Sequence, residues 1–453
     1  MVLPQSGALQ FPQGQGAEQR SAAIGISSTQ EVAYVAGTTP RGAIDQLQNF
    51  TIDISDPTAL TQIGTTVTFA SAEEGSLPND IPAGVAVFDD GEAGTGDIVY
   101  VVGGTGGDLT QNDGLIVNRG QQDAFLLRYT PDLDGNLAPL DEDGNVIEPT
   151  AFQFGGAGSE VILDAITVAD ADGHSIYVVG RTSSEDDGPG SFFGGDAGAD
   201  FDAFVAKINA ESLPTGSAGL ADASPVEDSD FEWIARIESV ENDEAVGVDF
   251  ADGTVYVVGN TEGNLDNNGG DDGGDNNSDI WLAAIQDDPT DDGEIDDTEI
   301  IVNDESLSSE EDNDGAAGTN TDEVAGGIAV SNGQIYIAGS TRGVVDSQDV
   351  LASDLTANVG NEDAFLAKFQ AGNFTDTSNP VYVEQFGSFD RDLGVGVEAS
   401  TRTTDEDGDI ATLGDRSQVT TVFLTGTTEG VIDGELNKGG KDAFVAQFDD
   451  RQG

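Results

Sequence analysis

The chain has 453 residues, 37% of them hydrophobic, and sets 86 Asp and Glu against 15 Lys and Arg for a formal net charge of −71. So negative a surface repels phosphate backbones and anionic lipids, which argues against nucleic-acid binding and membrane insertion. The absence of cysteine excludes disulfides, thiolate metal sites and Cys nucleophiles together.

No apolar run approaches the ~18 residues that a membrane-spanning helix needs, and 61 glycines set between short apolar runs favour an all-β chain. Residues 1–16 show no basic region followed by an apolar core, so no N-terminal signal peptide is recognisable. Within that opening, Leu9-Gln10-Phe11 matches Phe152-Gln153-Phe154 and Glu384-Gln385-Phe386, each just ahead of a Gly-containing turn.

A repeat then runs the length of the chain. An aromatic, two mostly apolar residues and Gly, then any residue and Thr, occur at residues 34–37 with Thr39, 100–103 with Thr105 and 177–180 with Thr182. They recur at 256–259 with Thr261, 336–339 with Thr341 and 423–426 with Thr428. A short apolar stretch precedes each tetrad. Downstream comes Asp-Ala-Phe with alternating apolar residues, beginning at Asp123, Asp202, Asp363 and Asp442, with Asp279-Ile280-Trp281 as a variant and Asn49-Phe50-Thr51 in the degenerate first unit. A fourth apolar element follows, as at 152–154, 231–237 and 381–386. Four short strands per unit make one antiparallel sheet, which buries both faces only by stacking on its neighbours.

The expected fold is therefore a six-bladed β-propeller of four-stranded antiparallel blades in a single domain over 1–453. The blades span about 16–75, 80–158, 160–240, 243–305, 322–390 and 393–450. The last lacks a fourth strand, and the strand at 8–14 is expected to complete it and close the ring. Asp172-Gly173 and Asn332-Gly333 fall at tight hairpins between first and second strands, where positive backbone dihedrals are needed. The single histidine, His174, lies in the first of these and is expected as an exposed turn residue. The recurrent Asp123, Asp202, Asp279, Asp363 and Asp442 are expected to accept hydrogen bonds inside their blades, with the repeated threonines as partners.

The Tyr-Val-Val-Gly-x-Thr segments, with Asp-Ala-Phe-Val/Leu-Ala-Lys as at 202–207 and 363–368, resemble the bacterial β-propeller repeat (SBBP-type) family over roughly the whole chain. That resemblance implies an extracellular or cell-surface place and a binding or scaffolding role. The family is named for seven blades against six counted here, and the acidic insertions at 142–148 and 287–299 are no part of its repeat.

One segment has ligand spacing. Read as a twelve-residue calcium loop, 288–299 sets oxygens at Asp288, Thr290, Asp292, Asp296 and Glu299, with Gly293 at the sharp turn. Ca²⁺ takes six to eight hard oxygens, and this spacing wraps a loop round one ion. With one histidine and no cysteine, a triad or a His-rich zinc centre would need unusual substitutes. The expected function is a monomeric, non-catalytic module that presents loops to a glycan, a matrix polymer or a surface protein, with Ca²⁺ stiffening its acidic loops. The alternative is a calcium-dependent hydrolase with a carboxylate-lined central channel.

Overall fold

A computed structural model describes residues 20–27, 30–41, 44–53, 61–69, 80–89, 96–107, 120–140, 149–170, 173–184, 197–211, 213, 224–225, 231–263, 265, 278–287, 300–303, 323–343, 361–375, 378–404, 417–432 and 441–452. The chain divides into two compact units, Met1–Ala235 and Arg236–Gly453. The fold class is the six-bladed β-propeller that the repeat predicts, with three blades in each unit.

In the first unit, β1 (Arg20–Ser27), β2 (Val32–Arg41), β3 (Ile44–Asp53) and β4 (Thr61–Phe69) form the first sheet. The second holds β5 (Ile81–Phe88), β6 (Ile98–Thr105), β7 (Asp123–Tyr129) and β8 (Thr150–Phe154). The third holds β9 (Glu160–Ala169), β10 (His174–Ser184), β11 (Ala197–Asn209) and β13 (Phe231–Ile237). Between its last two strands, β12 (Ser224–Pro225) leaves the third sheet and pairs in parallel with β8, giving the second sheet a fifth strand.

In the second unit, β14 (Asp243–Ala251), β15 (Thr254–Thr261), β16 (Asp279–Gln286) and β17 (Ile300–Asn303) make the fourth sheet. The fifth is β18 (Glu323–Ser331), β19 (Gln334–Thr341), β20 (Asp363–Gln370) and β21 (Tyr382–Phe386). The sixth is β22 (Asp392–Thr404), β23 (Ser417–Thr428) and β24 (Asp442–Gln452). The strand expected at 8–14 to complete it lies outside the described residues.

The tetrad is apolar throughout because its strand is sandwiched. On β6, Val99 and Val101 pack with Val32, Tyr34 and Ala36 of the first sheet. The alternate residues Tyr100 and Val102 pack with Ile176, Val178 and Phe204 of the third. Successive side chains of a strand point to opposite faces, so a sheet buried on both sides tolerates no polar alternation there. In the second unit, Tyr256 and Val258 face the fifth sheet, and Tyr336 and Ala338 face the sixth.

The repeated glycine has a steric cause. Opposite it, the first strand of every sheet carries a β-bulge, as between Pro82 and Gly84, Ala245 and Gly247, or Ala325 and Gly327. The bulge pushes a carbonyl of that strand onto the glycine. A Cβ on Gly103 would stand 2.0 Å from the Ile81 oxygen, and one on Gly180 2.0 Å from the Val161 oxygen. Across the other edge the glycine faces the aromatic of the Asp-Ala-Phe element: Gly103 opposes Phe125, Gly180 Phe204, Gly259 Trp281, Gly339 Phe365 and Gly426 Phe444. The two landmarks of the repeat are thus one cross-strand pair, in which an aromatic covers the surface that glycine leaves bare.

Two expectations need correction. In the first unit Gly37 opposes Gln48, so residues 46–48, not 49–51, hold the place of Asp-Ala-Phe; the degenerate sequence shifted that alignment by three. His174 is not exposed. It opens β10 opposite Ala169 and is 1% accessible. The turn ends one residue earlier than the sequence suggested, and the imidazole lies flat on Phe88 of the preceding sheet, ring centroids 3.9 Å apart. Asn332 and Gly333 do take positive φ, 53° and 71°, which the twist of a two-residue hairpin demands.

Candidate functional site

Second and third strands meet at one end of every sheet after the first, where the repeated Thr faces the repeated Asp, as in Thr105–Asp123, Thr182–Asp202 and Thr341–Asp363. Both are buried there: Thr105 and Thr341 are inaccessible, and Asp123 and Asp363 are 1% accessible. A carboxyl from the start of a first strand joins them. Thr105 Oγ1 donates to Asp80 Oδ1 at 2.6 Å, Thr182 Oγ1 to Glu160 Oε1 at 3.0 Å, and Thr341 Oγ1 to Glu323 Oε1 at 2.6 Å. The sequence reading missed this acid, which alternates between Asp and Glu and has no constant neighbours.

A glutamine completes the cluster from the fourth strand. Gln153 Nε2 donates to Asp123 Oδ2 and to the Gly107 carbonyl, and Gln385 Nε2 repeats both contacts with Asp363 Oδ2 and the Gly343 carbonyl. The cluster also bridges sheets. The Glu160 amide donates to the Gln122 carbonyl of the second sheet, and those of Glu323 and Asp392 donate to Ser278 and Glu362 of the fourth and fifth. Burial pushes the Glu160 carboxyl up, and the charge of Asp123 adds to the shift.

The opposite end of the sheets carries the tyrosine hydroxyls. Tyr34 donates to Asp97 Oδ2 of the second sheet at 2.6 Å, and Tyr100 shares a 2.8 Å hydrogen bond with His174 Nε2 of the third. Tyr256 donates to the Ala371 carbonyl of the fifth sheet, and Tyr336 to Asp450 Oδ2 of the sixth at 2.7 Å. Each latches its own sheet to the next. Desolvation raises all four phenols, Tyr100 to about 12. In the sixth repeat the aromatic is Phe423, which has no hydroxyl to give.

Basic residues of the third strands sit at the same end of the sheets. Third-strand Lys368 is 7% accessible; it pairs with Asp450 and lies beside the rings of Tyr336 and Tyr382. Lys207 lies 5.6 Å from the Tyr177 ring and 3.0 Å from Glu232. Arg128, at the same place in the second sheet, donates to the Ala210 carbonyl. These positions are the Lys or Arg that ends the Asp-Ala-Phe element.

His174 offers no catalytic imidazole. Burial, with the nearby Arg128 charge, lowers it to about 4, and Asp170 opposes only in part. A base whose folded pKa is depressed contributes stability that is complete above its ordinary value near 6.5 and is lost as pH falls toward 4. His174→Gln should therefore show less loss of melting temperature than the parent between pH 6.5 and 4. Identical pH profiles would exclude a buried neutral imidazole.

One other acid pair links different sheets. Asp249 of β14 and Glu398 of β22 are both raised, Asp249 by burial, Glu398 by desolvation and then by the Asp249 charge. Both Asp249 oxygens accept backbone amides, from Phe250 and from Val330 of the fifth sheet. A proton-transfer role would have to break those bonds; Asp249 instead joins the fourth sheet to the fifth. The calcium ligands read from the sequence, Asp288, Thr290, Asp292, Asp296 and Glu299, lie outside the described residues. Among the described residues no group of three or more acids and His is placed to hold a metal ion, and no helix is long and apolar enough to cross a membrane.

No family model matches this chain, and no curated protein sequence matches it. Solved structures do. Semaphorin 1a of Drosophila, extracellular domains 1-2, aligns with a TM-score of 0.41 and 9% identity, over 92% of this chain and 77% of that one. A subtype N11 neuraminidase-like protein of A/flat-faced bat/Peru/033/2010 (H18N11) gives 0.37 and 9%, over 92% and 83%. An exo-1,5-α-L-arabinanase from a bovine ruminal metagenomic library gives 0.29 and 12%, over 80% and 95%. At such values these likenesses bear on neither activity nor ligand.

Proposed function

We propose that this chain is a non-catalytic binding or structural module of a secreted or cell-surface bacterial protein, of the bacterial β-propeller repeat kind. A glycan, a matrix polymer or another surface protein is its partner, and Ca²⁺ stiffens its acidic connections. One observation carries this reading: the residues that recur in the repeat are spent on holding sheets together. Tyr, Thr, Asp, Gln and the third-strand Lys or Arg are buried and engaged with one another or with the next sheet. What is left to vary is the long connections between second and third strands, which in every sheet but the first start from the end where Thr meets Asp. Two of them, 185–196 and 264–277, are rich in Gly and acids, including Asp186, Asp187, Asp271 and Asp272, and the second also in Asn. Rigid scaffolds carry recognition on such connections.

The test is a calcium titration of a chelated sample, followed by thermal melting. A ligand that binds only the folded chain stabilises it, by about 2.7 kcal/mol at a hundredfold excess over its dissociation constant. Millimolar Ca²⁺ should raise the melting temperature beyond the effect of NaCl at matched ionic strength, and Asp292→Ala with Glu299→Gln should remove part of that gain. Equal responses to the two salts would mean that the acids are only screened.

A further inference from the structure

We propose that the apices of two short connections in the second unit, Val240 and Phe389, dock lysine or arginine side chains of a basic protein partner. The inference rests on the module reading above and narrows its partner to one class. Val240 is 85% accessible and Phe389 83%, each three residues ahead of the buried acid that opens the next sheet, Asp243 or Asp392. Ala157, three residues before Glu160 in the first unit, is exposed as well. Both connections lie at the end where Thr meets Asp, since Asp243 faces Thr261 and Asp392 faces Thr428. They share one build. Asp243 Oδ2 accepts the Ser239 amide, and Asp392 Oδ2 accepts the Ser388 amide. Ser239 Oγ accepts the Glu241 amide, and Ser388 Oγ the Asp390 amide. The Glu262 and Glu429 amides, just beyond the second strands, donate to the Asn242 and Arg391 carbonyls at 2.9 Å. Gly387 opens the second connection where Asp363 and Asp392 meet: a Cβ there would lie 2.3 Å from Asp363 Oδ1 and 3.0 Å from Asp392 Oδ2.

A turn held this firmly has no folding need of an apolar apex; serine at 240 or 389 would leave each of these bonds in place. Lone exposed apolar side chains are ordinary, but these two recur at one position of a preordered turn, and carboxylates flank both. Glu238, Glu241 and Glu262 are exposed beside Val240, as are Asp390 and Glu429 beside Phe389. Arg236 lies 3.9 Å from Glu238, Lys441 lies 3.9 Å from Glu429, and Arg391 is engaged with Glu362. Glu241 and Asp390 form no ion pair with a described residue. Lysine and arginine suit this arrangement, because their stems lie along apolar surface while the charged heads reach outward. The stem covers Val240 or Phe389, and the head meets the carboxylate one residue further on. A guanidinium gains in addition from the face of the Phe389 ring. A second copy of this chain, with its own charge of −71, would bring repulsion instead. Turns ordered in advance also lose little freedom on binding.

The test is binding of a fluorescent hexa-arginine peptide to the full chain in about 0.15 M NaCl, where distant charges are screened. Val240→Ser with Phe389→Ser removes no charge and should weaken binding about tenfold, as two exposed cation contacts with apolar apices would. Glu241→Gln with Asp390→Asn should weaken it by a similar factor. Asp252→Asn with Glu384→Gln, which neutralises two exposed acids elsewhere in the same unit, should leave it unchanged. All three variants should melt with the parent, since no buried contact is touched. Equal losses from the two pairs of acid substitutions, with none from the serine variant, would overturn the proposal in favour of attraction to bulk charge. Retention of neutral dextran by a chain that ignores the peptide would overturn it too, while leaving the module reading in place.

Discussion

Asp450→Ala should cost about 3–5 kcal/mol, the usual loss when one partner of a buried ion pair is removed. Asp450 takes both the Lys368 ammonium and the Tyr336 hydroxyl on one oxygen, joining the fifth sheet to the sixth. Lys368 and Asp450 side chains are 8% and 14% accessible. Without the carboxylate the ammonium is left against the rings of Tyr336 and Tyr382, with too little solvent to replace the lost charge. A unit of this size shifts its melting temperature by about 2–4 °C per kcal/mol, so a fall of roughly 10 °C is expected. Lys368→Met with Asp450→Leu should recover much of it, because a buried pair replaced by apolar groups loses its desolvation cost as well. A single variant within 1 kcal/mol of the parent would show that the pair is solvated.

Gly180→Ala should be nearly as damaging, about 3 kcal/mol, at the upper end for overpacking. The added methyl would meet the Val161 carbonyl at 2.0 Å and the Val161 carbonyl carbon at 2.9 Å. These are backbone atoms of the bulged β9, so no rotamer change relieves the contact. Gly253→Ala is the control. Gly253 has φ of 82° with nothing within 4 Å of a Cβ, so it carries only the penalty of a left-handed conformation, about 1 kcal/mol. Denaturant melts of both variants separate crowding from handedness, and equal losses would count against the bulge as the reason for the repeated glycine.

The repeat was legible because its cause is local. A strand sandwiched between sheets must be apolar along its length, so Tyr177 to Val179 and their equivalents announce themselves. The third-strand aromatic is likewise visible, though not its partner: that Phe204 covers Gly180 follows from register, which no spacing along the chain discloses. The bulge in β9 was hidden for the same reason. Asp80, Glu160 and Asp392 were hidden because the connections before them differ in length and composition, so only the meeting with Thr105, Thr182 or Asp363 marks them out. His174 shows a different limit. The hairpin between β9 and β10 was legible, but whether the residue after Gly173 faces water or Phe88 depends on a neighbouring sheet more than eighty residues back in the chain.

The central claim is that the recurring polar residues join one sheet to the next, and a double-mutant cycle on Tyr34 and Asp97 tests it most directly. Both are buried, at 1% and 3% accessibility, and their 2.6 Å bond joins the first sheet to the second. With Tyr34→Phe and Asp97→Ala made singly and together, the predicted coupling is about 1–3 kcal/mol, as for a buried hydrogen bond to a charged group. Losses that add to within about 0.3 kcal/mol would mean that the hydroxyl and the carboxylate stabilise their own sheets separately, which contradicts the account.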